Sequence, residues 1–243
     1  MTDTKRIALV TGANKGIGLE IARQLGATGV HILVGARDWQ RGEAAAAQLW
    51  AEGMQASFLH IDLGDEASVA AAAATIAADH GRLDILVNNA GINDSGDGRP
   101  SVATADALRR VMETNFIGAA IVARHMLPLL KQAPAARIVN LSSALGSLTM
   151  NGDTSSPYYA AQLLGYNASK AALNMLTVQL AEELRGTAIA VNSISPGYCA
   201  TDLNGHSGPL SAAEGARVPV AYALMGDDAP SGGFIEADGP TPW

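Results

Sequence analysis

Short apolar runs alternate with longer segments of helical period along this 243-residue chain. Apolar runs of only a few residues, rich in Val, Ile and Leu, predict buried strands. These strands are predicted over residues 7–10, 31–35, 57–61, 84–87, 137–141, 188–194 and 233–235. The segments between them are rich in Ala, Leu, Glu and Gln, which favour helix. Helices are predicted over residues 17–28, 39–52, 65–80, 104–131 and 166–185.

The alternation of buried strands with helices is typical of a parallel sheet that helices cover on both faces. No linker, composition shift or solenoid-length repeat divides the chain. We therefore predict the α/β class, with a single doubly wound Rossmann domain over residues 1–243 and a parallel sheet of about seven strands. Three irregular segments, 93–101, 147–165 and 201–215, follow strands at the edge where open α/β sheets bind ligands.

Charge and cysteine content argue against several classes of protein. Acidic residues outnumber basic ones by 23 to 16, which argues against a general binder of nucleic acid or of anionic membranes. Cys199 is the only cysteine, so no intrachain disulfide can form. No stretch approaches the ~20 apolar residues of a membrane helix, and the five histidines show no metal-ligand spacing. We expect a soluble, cytoplasmic protein that binds no metal.

A glycine-rich turn joins the first predicted strand to the first predicted helix. Its sequence over residues 11–18 is Thr-Gly-Ala-Asn-Lys-Gly-Ile-Gly. Glycines at such a junction permit a tight turn and let backbone N–H groups approach a pyrophosphate at the start of the helix. The strand before and the helix after make this a predicted dinucleotide site. It is not a Walker loop, because no Gly-Lys-Ser/Thr sequence occurs here.

The spacing of this turn and six later motifs together resemble the short-chain dehydrogenase/reductase family over nearly the whole chain. The later motifs are, in order, Asp62-Leu63, Asn88-Asn89-Ala90-Gly91, Asn115, Ser142-Ser143, Tyr166-Asn167-Ala168-Ser169-Lys170 and Pro196-Gly197. The ordered set is far more specific than any one of them. The resemblance implies a cofactor site formed by Gly12, Asn14, Lys15, Gly16, Ile17, Gly18, Arg37, Asp62, Leu63, Asn89, Ala90, Gly91, Tyr166, Lys170, Pro196, Gly197 and Thr201.

Charge predicts which cofactor this site prefers. Enzymes that use NAD usually carry an acidic residue after the second strand, where it bonds the ribose 2′-hydroxyl and would repel a 2′-phosphate. This chain has Arg37 there and Lys15 within the glycine turn, and both cations suit a phosphate. NADP-preferring members of the family carry basic residues at the same two places. We predict NADP(H), although Asp38 beside Arg37 opposes that preference.

Tyr166 and Lys170 lie four residues apart on one predicted helix, so their side chains share a face. A free tyrosine has a pKa near ~10, and a nearby ammonium lowers that pKa toward neutrality. The resemblance implies that Tyr166 is the general acid of carbonyl reduction and that Lys170 lowers its pKa and holds the cofactor ribose. It also implies that Ser143 donates a hydrogen bond to the carbonyl oxygen and that Asn115 holds a water that relays protons to Lys170.

The stretch between Ser143 and Tyr166 is longer than in ordinary members of the family. Tyr158 and Tyr159 have no lysine four residues later, so the extra residues form an insertion within 147–165. Carbonyl reductases of the family carry an insertion at the same place and a similar carboxyl-terminal segment. The resemblance therefore implies NADPH-dependent reduction of a ketone or aldehyde. It also makes a monomer or homodimer a better expectation than the family's common tetramer.

The sequence does not decide which residues form the substrate pocket, and it leaves two alternative functions. Apolar side chains in the insertion and in the loop over 201–215 are candidate substrate contacts, namely Leu148, Tyr158, Tyr159, Leu203, Pro209 and Leu210. One alternative is a regulatory protein that senses NADP(H) without catalysis, because a fold does not fix a function. The other is an NAD-dependent alcohol dehydrogenase. Retention of Asn115, Ser143, Tyr166 and Lys170 argues against the first, and Arg37 with Lys15 argues against the second.

Overall fold

A computed structural model describes residues 5–243 and contains one eight-stranded sheet in the order β3-β2-β1-β4-β5-β6-β7-β8. The strands are β1 Ile7–Thr11, β2 His31–Ala36, β3 Ala56–His60, β4 Ile85–Asn88, β5 Ala136–Leu141, β6 Ile189–Ile194, β7 Phe234–Glu236 and β8 Gly239–Pro240. All neighbouring strands run parallel except β8, which pairs antiparallel with β7. The predicted α/β class and the doubly wound parallel sheet are confirmed.

Helices cover both faces of this sheet. They are α1 Gly16–Gly26, α2 Trp39–Ala51, α3 Glu66–His80, α4 Ala105–Met112, α5 Ala119–Leu130, α6 Leu148–Gly152, α7 Leu164–Glu183 and α8 Ala212–Leu224. A π-helical segment, Glu113–Gly118, joins α4 to α5. No helix within the described part of the chain is long and apolar enough to cross a membrane.

The core consists of two apolar clusters, one on each face of the sheet. Successive residues of a strand point to opposite faces, so Leu9 belongs to the cluster under α3, α5 and α7, while Val10 belongs to the cluster under α1, α2 and α8. The strand order reverses between β1 and β4. Helices on opposite faces leave a crevice at such a switch point, and ligands of open α/β sheets bind there.

The structure departs from the predicted elements in three places. One is the short helix α6, which lies within the segment 147–165 predicted to be irregular. Residues 212–215 belong to the segment 201–215 that is predicted to be irregular, but they begin helix α8, which Ser211 and Glu214 start with a capping box. The single helix predicted over 104–131 contains the π-helical segment, which divides it into α4 and α5. None of these differences moves a strand, and the sheet is as predicted apart from the two-residue β8.

Candidate active site

A cavity of about 820 Å³ opens at the switch point, along the carboxyl ends of the strands. Most of the predicted cofactor and catalytic residues border it. These are Gly12, Asn14, Lys15, Gly16, Ile17, Gly18, Arg37, Asp62, Leu63, Asn89, Ala90, Gly91, Tyr166, Lys170, Pro196 and Thr201. Gly197, Asn115 and Ser143 are the predicted residues outside its lining. The fold therefore brings residues from both halves of the chain to one cleft.

The glycine turn is held against the turn that follows β4. The Asn89 amide donates to the carbonyl oxygens of Thr11 at 2.7 Å and Gly12 at 3.2 Å. Gly12 has a φ of 65°, in the left-handed region that favours glycine. A Cβ at Gly18 would lie 2.4 Å from the Asn89 amide nitrogen, so no larger residue fits there. The backbone in this corner is close-packed, and the cavity lies directly beside it.

The predicted phosphate-binding cations lie at the exposed rim of the cavity. Lys15 forms an ion pair of 2.6 Å with Asp202, and His206 lies 2.9 Å from the same carboxylate. Arg37 follows β2 and is exposed. Lys15 is therefore not a free cation in this structure, because the loop after β6 supplies a carboxylate to it.

Arg41 is a third cation at this rim and was missed from the sequence. It borders the cavity from the first turn of α2. Its position in the first turn of the helix predicted over 39–52, directly after the strand that leads to Arg37, was the available signal. Asp38, which opposed the choice of NADP(H), accepts a hydrogen bond from the Arg41 backbone N–H at 2.9 Å and caps α2. Its carboxylate thus has a structural role at the helix start.

Tyr166 and Lys170 lie together on α7, as their spacing predicted. Lys170 is 4% exposed, and its ammonium donates to the Leu141 carbonyl at the end of β5, over 2.7 Å. The Lys170 nitrogen is 5.6 Å from the centre of the Tyr166 ring. Burial lowers the pKa of Lys170 to about 8. A lysine held this way carries its charge at neutral pH in a largely dry environment.

The pKa of Tyr166 differs from the prediction. Burial raises the pKa of Tyr166 to about 12, and a hydrogen bond with Ser143 offsets part of that rise. The loss of hydration on burial dominates this pKa, and Lys170 contributes no resolved lowering. A lowering by Lys170 together with the positive charge of an oxidised nicotinamide stays a prediction. The phenol is fully protonated at neutral pH, which is the state that a proton donor requires.

The two adjacent serines, Ser142 and Ser143, make different contacts. Ser143 hydrogen-bonds with Tyr166, and its Oγ also accepts from the Leu145 backbone N–H at 3.2 Å. Ser142 instead donates to the Asn174 side chain at 2.6 Å, deep within the packing of α7 on the sheet. Ser142 borders the cavity and Ser143 does not, so the contact with Tyr166 is what favours Ser143, and its catalytic role stays a prediction.

Asn115 lies in the π-helical segment and is 1% exposed. Its amide donates to the Ile92 carbonyl and to the Ser169 hydroxyl, each at 3.0 Å, and its oxygen accepts from the Ile92 N–H at 2.8 Å. The Asn115 side chain therefore ties the turn after β4 to helix α7. A proton-relaying water at Asn115 stays a prediction.

The insertion clamps the segment after Ser143 to the catalytic helix. The Asn151 amide donates to the carbonyls of Leu145 at 2.8 Å and Ser147 at 2.7 Å, while its oxygen accepts from Asn167 at 2.8 Å. Asn167 is the residue after Tyr166. The insertion therefore fixes the segment after Ser143 against the helix that carries Tyr166. The sequence of the insertion did not indicate this role.

The aromatic residues of the insertion lie outside the cavity lining, contrary to their assignment as candidate substrate contacts. The Tyr158 hydroxyl donates to Glu236 at 3.2 Å, and Ser195 donates to the same carboxylate at 2.8 Å. Tyr159 and Leu148 face solvent. Leu203 does border the cavity, from the loop after β6.

No group of three or more His, Cys, Asp or Glu residues among residues 5–243 is placed to hold a metal ion.

A crevice at the switch point with a glycine turn on one wall is typical of a dinucleotide-binding α/β protein. The profile of the short chain dehydrogenase family matches residues 6–209. The chain belongs to the short-chain dehydrogenase/reductase family and is an oxidoreductase that acts on alcohol or carbonyl groups.

Three relatives illustrate the likeness. The short-chain dehydrogenase anuI of Penicillium roqueforti is 39% identical over 229 residues, which cover 92% of this chain and 90% of the relative. Carbonyl reductase (NADPH) 1 of Mus musculus is 32% identical, with 100% of both chains covered. The crystal structure of NADPH-bound carbonyl reductase from chicken fatty liver has a TM-score of 0.85 at 29% identity, and covers 98% of this chain and 99% of its own.

Proposed function

We propose that this protein reduces a ketone or aldehyde to an alcohol with NADPH, and that Tyr166 is the general acid. The observation that carries the proposal is the grouping of Tyr166 and Lys170, which border the cavity, with Ser143, which lies behind the lining and contacts Tyr166. Tyr166 is protonated at neutral pH, Ser143 hydrogen-bonds with it, and Lys170 holds a buried charge one helical turn away. Acid–base catalysis needs a proton donor with fixed position in a site of low water content.

The cavity residues fit NADP(H). The close-packed glycine turn leaves room for a pyrophosphate beside the start of α1. Lys15, Arg37 and Arg41 form a group of cations at the rim, which suits a 2′-phosphate. The names of the mouse and chicken relatives include NADPH. We assign Lys15, Arg37 and Arg41 to the 2′-phosphate, and Tyr166 and Lys170 to the ribose next to the nicotinamide.

The chemistry requires two transfers to the carbonyl group. NADPH, when bound, supplies the hydride that adds to the carbonyl carbon. Tyr166 donates its proton to the carbonyl oxygen, so the product is a neutral alcohol. Ser143 donates a hydrogen bond that holds the oxygen in line with Tyr166. Lys170 stabilises the phenolate that remains, because its ammonium lies close to the ring in a poorly solvated place.

We also assign the whole activity to one domain over residues 1–243, which functions as a monomer or homodimer. The insertion over 147–165 supports that state, because it adds structure beside α7 that ordinary members of the family lack. Sedimentation equilibrium of the purified protein measures the assembly. A tetramer would contradict this part of the proposal and leave the catalytic part untouched.

The direct test is consumption of NADPH and of NADH by the purified protein with aldehydes, diketones and aryl ketones. The proposal predicts oxidation of NADPH with at least one of them and slower oxidation of NADH. Tight NADPH binding with no turnover across the panel would favour a non-catalytic NADP(H) sensor. A clear preference for NADH would support the NAD-dependent dehydrogenase and overturn the roles given to Lys15, Arg37 and Arg41.

A further inference from the structure

Helix α7 carries Tyr166 and Lys170 but begins without a cap of its own. Its N-cap residue, Leu163, has no capping side chain, and its first turn contains no acidic residue. The first backbone N–H groups of a helix have no partner inside the helix, so an uncapped start frays or costs stability. In this chain the missing partners come from the loop after β4.

Asp97 supplies the cap from 68 residues away in the sequence. One oxygen of its carboxylate accepts from the Gly165 backbone N–H at 2.8 Å, and the other accepts from the Tyr166 backbone N–H at 2.8 Å. The next residue, Gly98, accepts from the Leu164 N–H at 2.9 Å. Three successive N–H groups at the start of α7 therefore bond to two adjacent residues of one loop.

The loop that holds Asp97 is itself fixed. Asp94 accepts from the Gly96 N–H at 2.9 Å with one oxygen and from the Arg110 guanidinium at 2.7 Å with the other. The Asp97 N–H donates to the Asp94 carbonyl at 3.0 Å. Arg110 lies on α4, so Asp97 is anchored to a neighbouring helix. The position of its carboxylate is therefore set by α4 and the loop, and the carboxylate in turn fixes the start of α7.

The start of α7 is shaped to receive this carboxylate. Gly165 is buried, and a Cβ there would lie 3.1 Å from an Asp97 carboxylate oxygen and 3.0 Å from Leu108. A side chain at this residue would push Asp97 away from the backbone. A carboxylate at a helix N-terminus also interacts favourably with the helix dipole.

We propose that Asp97 is a positioning residue for the reduction: it fixes the backbone of Tyr166 and thereby the place of the phenol that donates the proton. This inference rests on the proposed function. Lys170 lies one turn further along and is held separately by the Leu141 carbonyl. Loss of Asp97 therefore displaces the acid while the cofactor contacts of Lys170 and the glycine turn persist.

The test compares Asp97→Ala and Asp97→Asn with the wild type, using NADPH and the best substrate of the carbonyl panel. Fluorescence titration with NADPH counts the binding sites, and kcat is expressed per site. Asp97→Ala is expected to lower kcat by about 10- to 100-fold, since a misplacement of ~1 Å can cost on the order of 100-fold. Its dissociation constant for NADPH is expected to change far less than kcat, because Lys170 and the glycine turn keep their places and only the contact of Tyr166 with the ribose is disturbed. A purely structural role would reduce the number of sites and leave kcat per site unchanged.

Asp97→Asn is expected to lose less activity than Asp97→Ala. Its oxygen still accepts from Gly165, but its amide group faces the Tyr166 N–H, and two donors repel. Because it keeps the size of the side chain, this variant decides the question by the same measurements if Asp97→Ala does not fold.

Asp65→Ala is the matched control. Asp65 caps α3 by accepting from the Ala67 N–H at 3.0 Å, and α3 carries none of the candidate catalytic residues. This variant loses the same kind of cap and is expected to keep wild-type kcat per site. Wild-type kcat per site in both Asp97 variants would overturn the inference. Substantial turnover by Tyr166→Phe would instead overturn the proposed function, so the two failures are distinguishable.

Discussion

The two ends of the cavity are built from different interactions. At the rim beside the glycine turn, Lys15, Arg37 and Arg41 are cations in contact with solvent. At the catalytic end, Lys170 is almost wholly buried and Tyr166 is held by bonds from two other segments. Charges at the rim act nearly independently, because water screens them. Groups at the catalytic end are coupled, because each contact there fixes the position of another.

This difference indicates that the rim determines the choice of cofactor and that the catalytic end determines the chemistry. A rim cation can be exchanged with little effect on folding, so the rim can change its cofactor preference without disturbing catalysis. The catalytic end cannot be altered one residue at a time in the same way. Substitutions at the rim are therefore expected to change binding constants, and substitutions at the catalytic end are expected to change turnover.

The largest effect is expected from Tyr166→Phe. Removal of the phenol hydroxyl removes the proton donor, and general acid catalysis contributes on the order of 10²- to 10⁴-fold to a rate. The reduction rate is expected to fall by that factor, while the dissociation constant for NADPH changes little. Steady-state kinetics and fluorescence titration measure the two quantities. Survival of most of the activity would show that another group donates the proton.

Arg37→Ala is expected to have the next largest effect, confined to one cofactor. A hydrogen bond to a charged group is worth about 1.5–3 kcal/mol, so loss of the contact raises the dissociation constant for NADPH by roughly 10- to 100-fold. The constant for NADH, which has no 2′-phosphate, is expected to stay the same, as is kcat at saturating cofactor. Equal weakening of both cofactors would show that Arg37 does not contact the phosphate.

The pH dependence is expected to reflect Lys170. Burial lowers its pKa to about 8, so the ammonium is present below that pH and is lost as the pH rises through it. If the reduction needs this charge, the rate falls about tenfold per pH unit on the alkaline side. Initial rates from pH 6 to pH 10 measure the profile. Lys170→Arg keeps the positive charge throughout this range and is expected to abolish the alkaline fall; an unchanged profile in that variant would assign the fall to another group.

The smallest effect is expected from Asp202→Asn. Asp202 pairs with Lys15 across the rim, and its removal frees the cation for the 2′-phosphate. Exposed ion pairs are weak, so NADPH binding is expected to tighten by only about two- to threefold, with no change for NADH. Calorimetric titration with each cofactor measures the two dissociation constants. Weaker binding of NADPH in this variant would show that the pair helps to hold the cofactor.

Most of the fold could be predicted because its information is local. Each buried strand is a short apolar run, and the glycine turn lies between a strand and a helix. Helix α8 was missed although Ser211 and Glu214 have the spacing of a capping box. Gly215 and Pro219 within α8 disfavour helix by propensity, and tertiary packing overrides that preference.

The sequence could predict which residues meet at the candidate site. It could not predict the contacts that hold those residues in place. The Tyr166–Lys170 spacing places both side chains on one face of α7 from local geometry alone. Asp97 and Asp202 act on partners 69 and 187 residues away, and no local pattern connects them to those partners. The pKa of Tyr166 was also out of reach, because burial sets it and burial follows only from the assembled fold.

The most direct test of the account is transfer of deuterium from NADPH deuterated at the reactive position of the nicotinamide. The protein and a carbonyl substrate from the panel are incubated with this cofactor, and the alcohol is analysed by mass spectrometry. The account predicts one deuterium on the carbinol carbon with the wild type and almost none of this alcohol with Tyr166→Phe. Bound NADPH that is never consumed, with no labelled alcohol from any substrate, would contradict the assignment of a reductase.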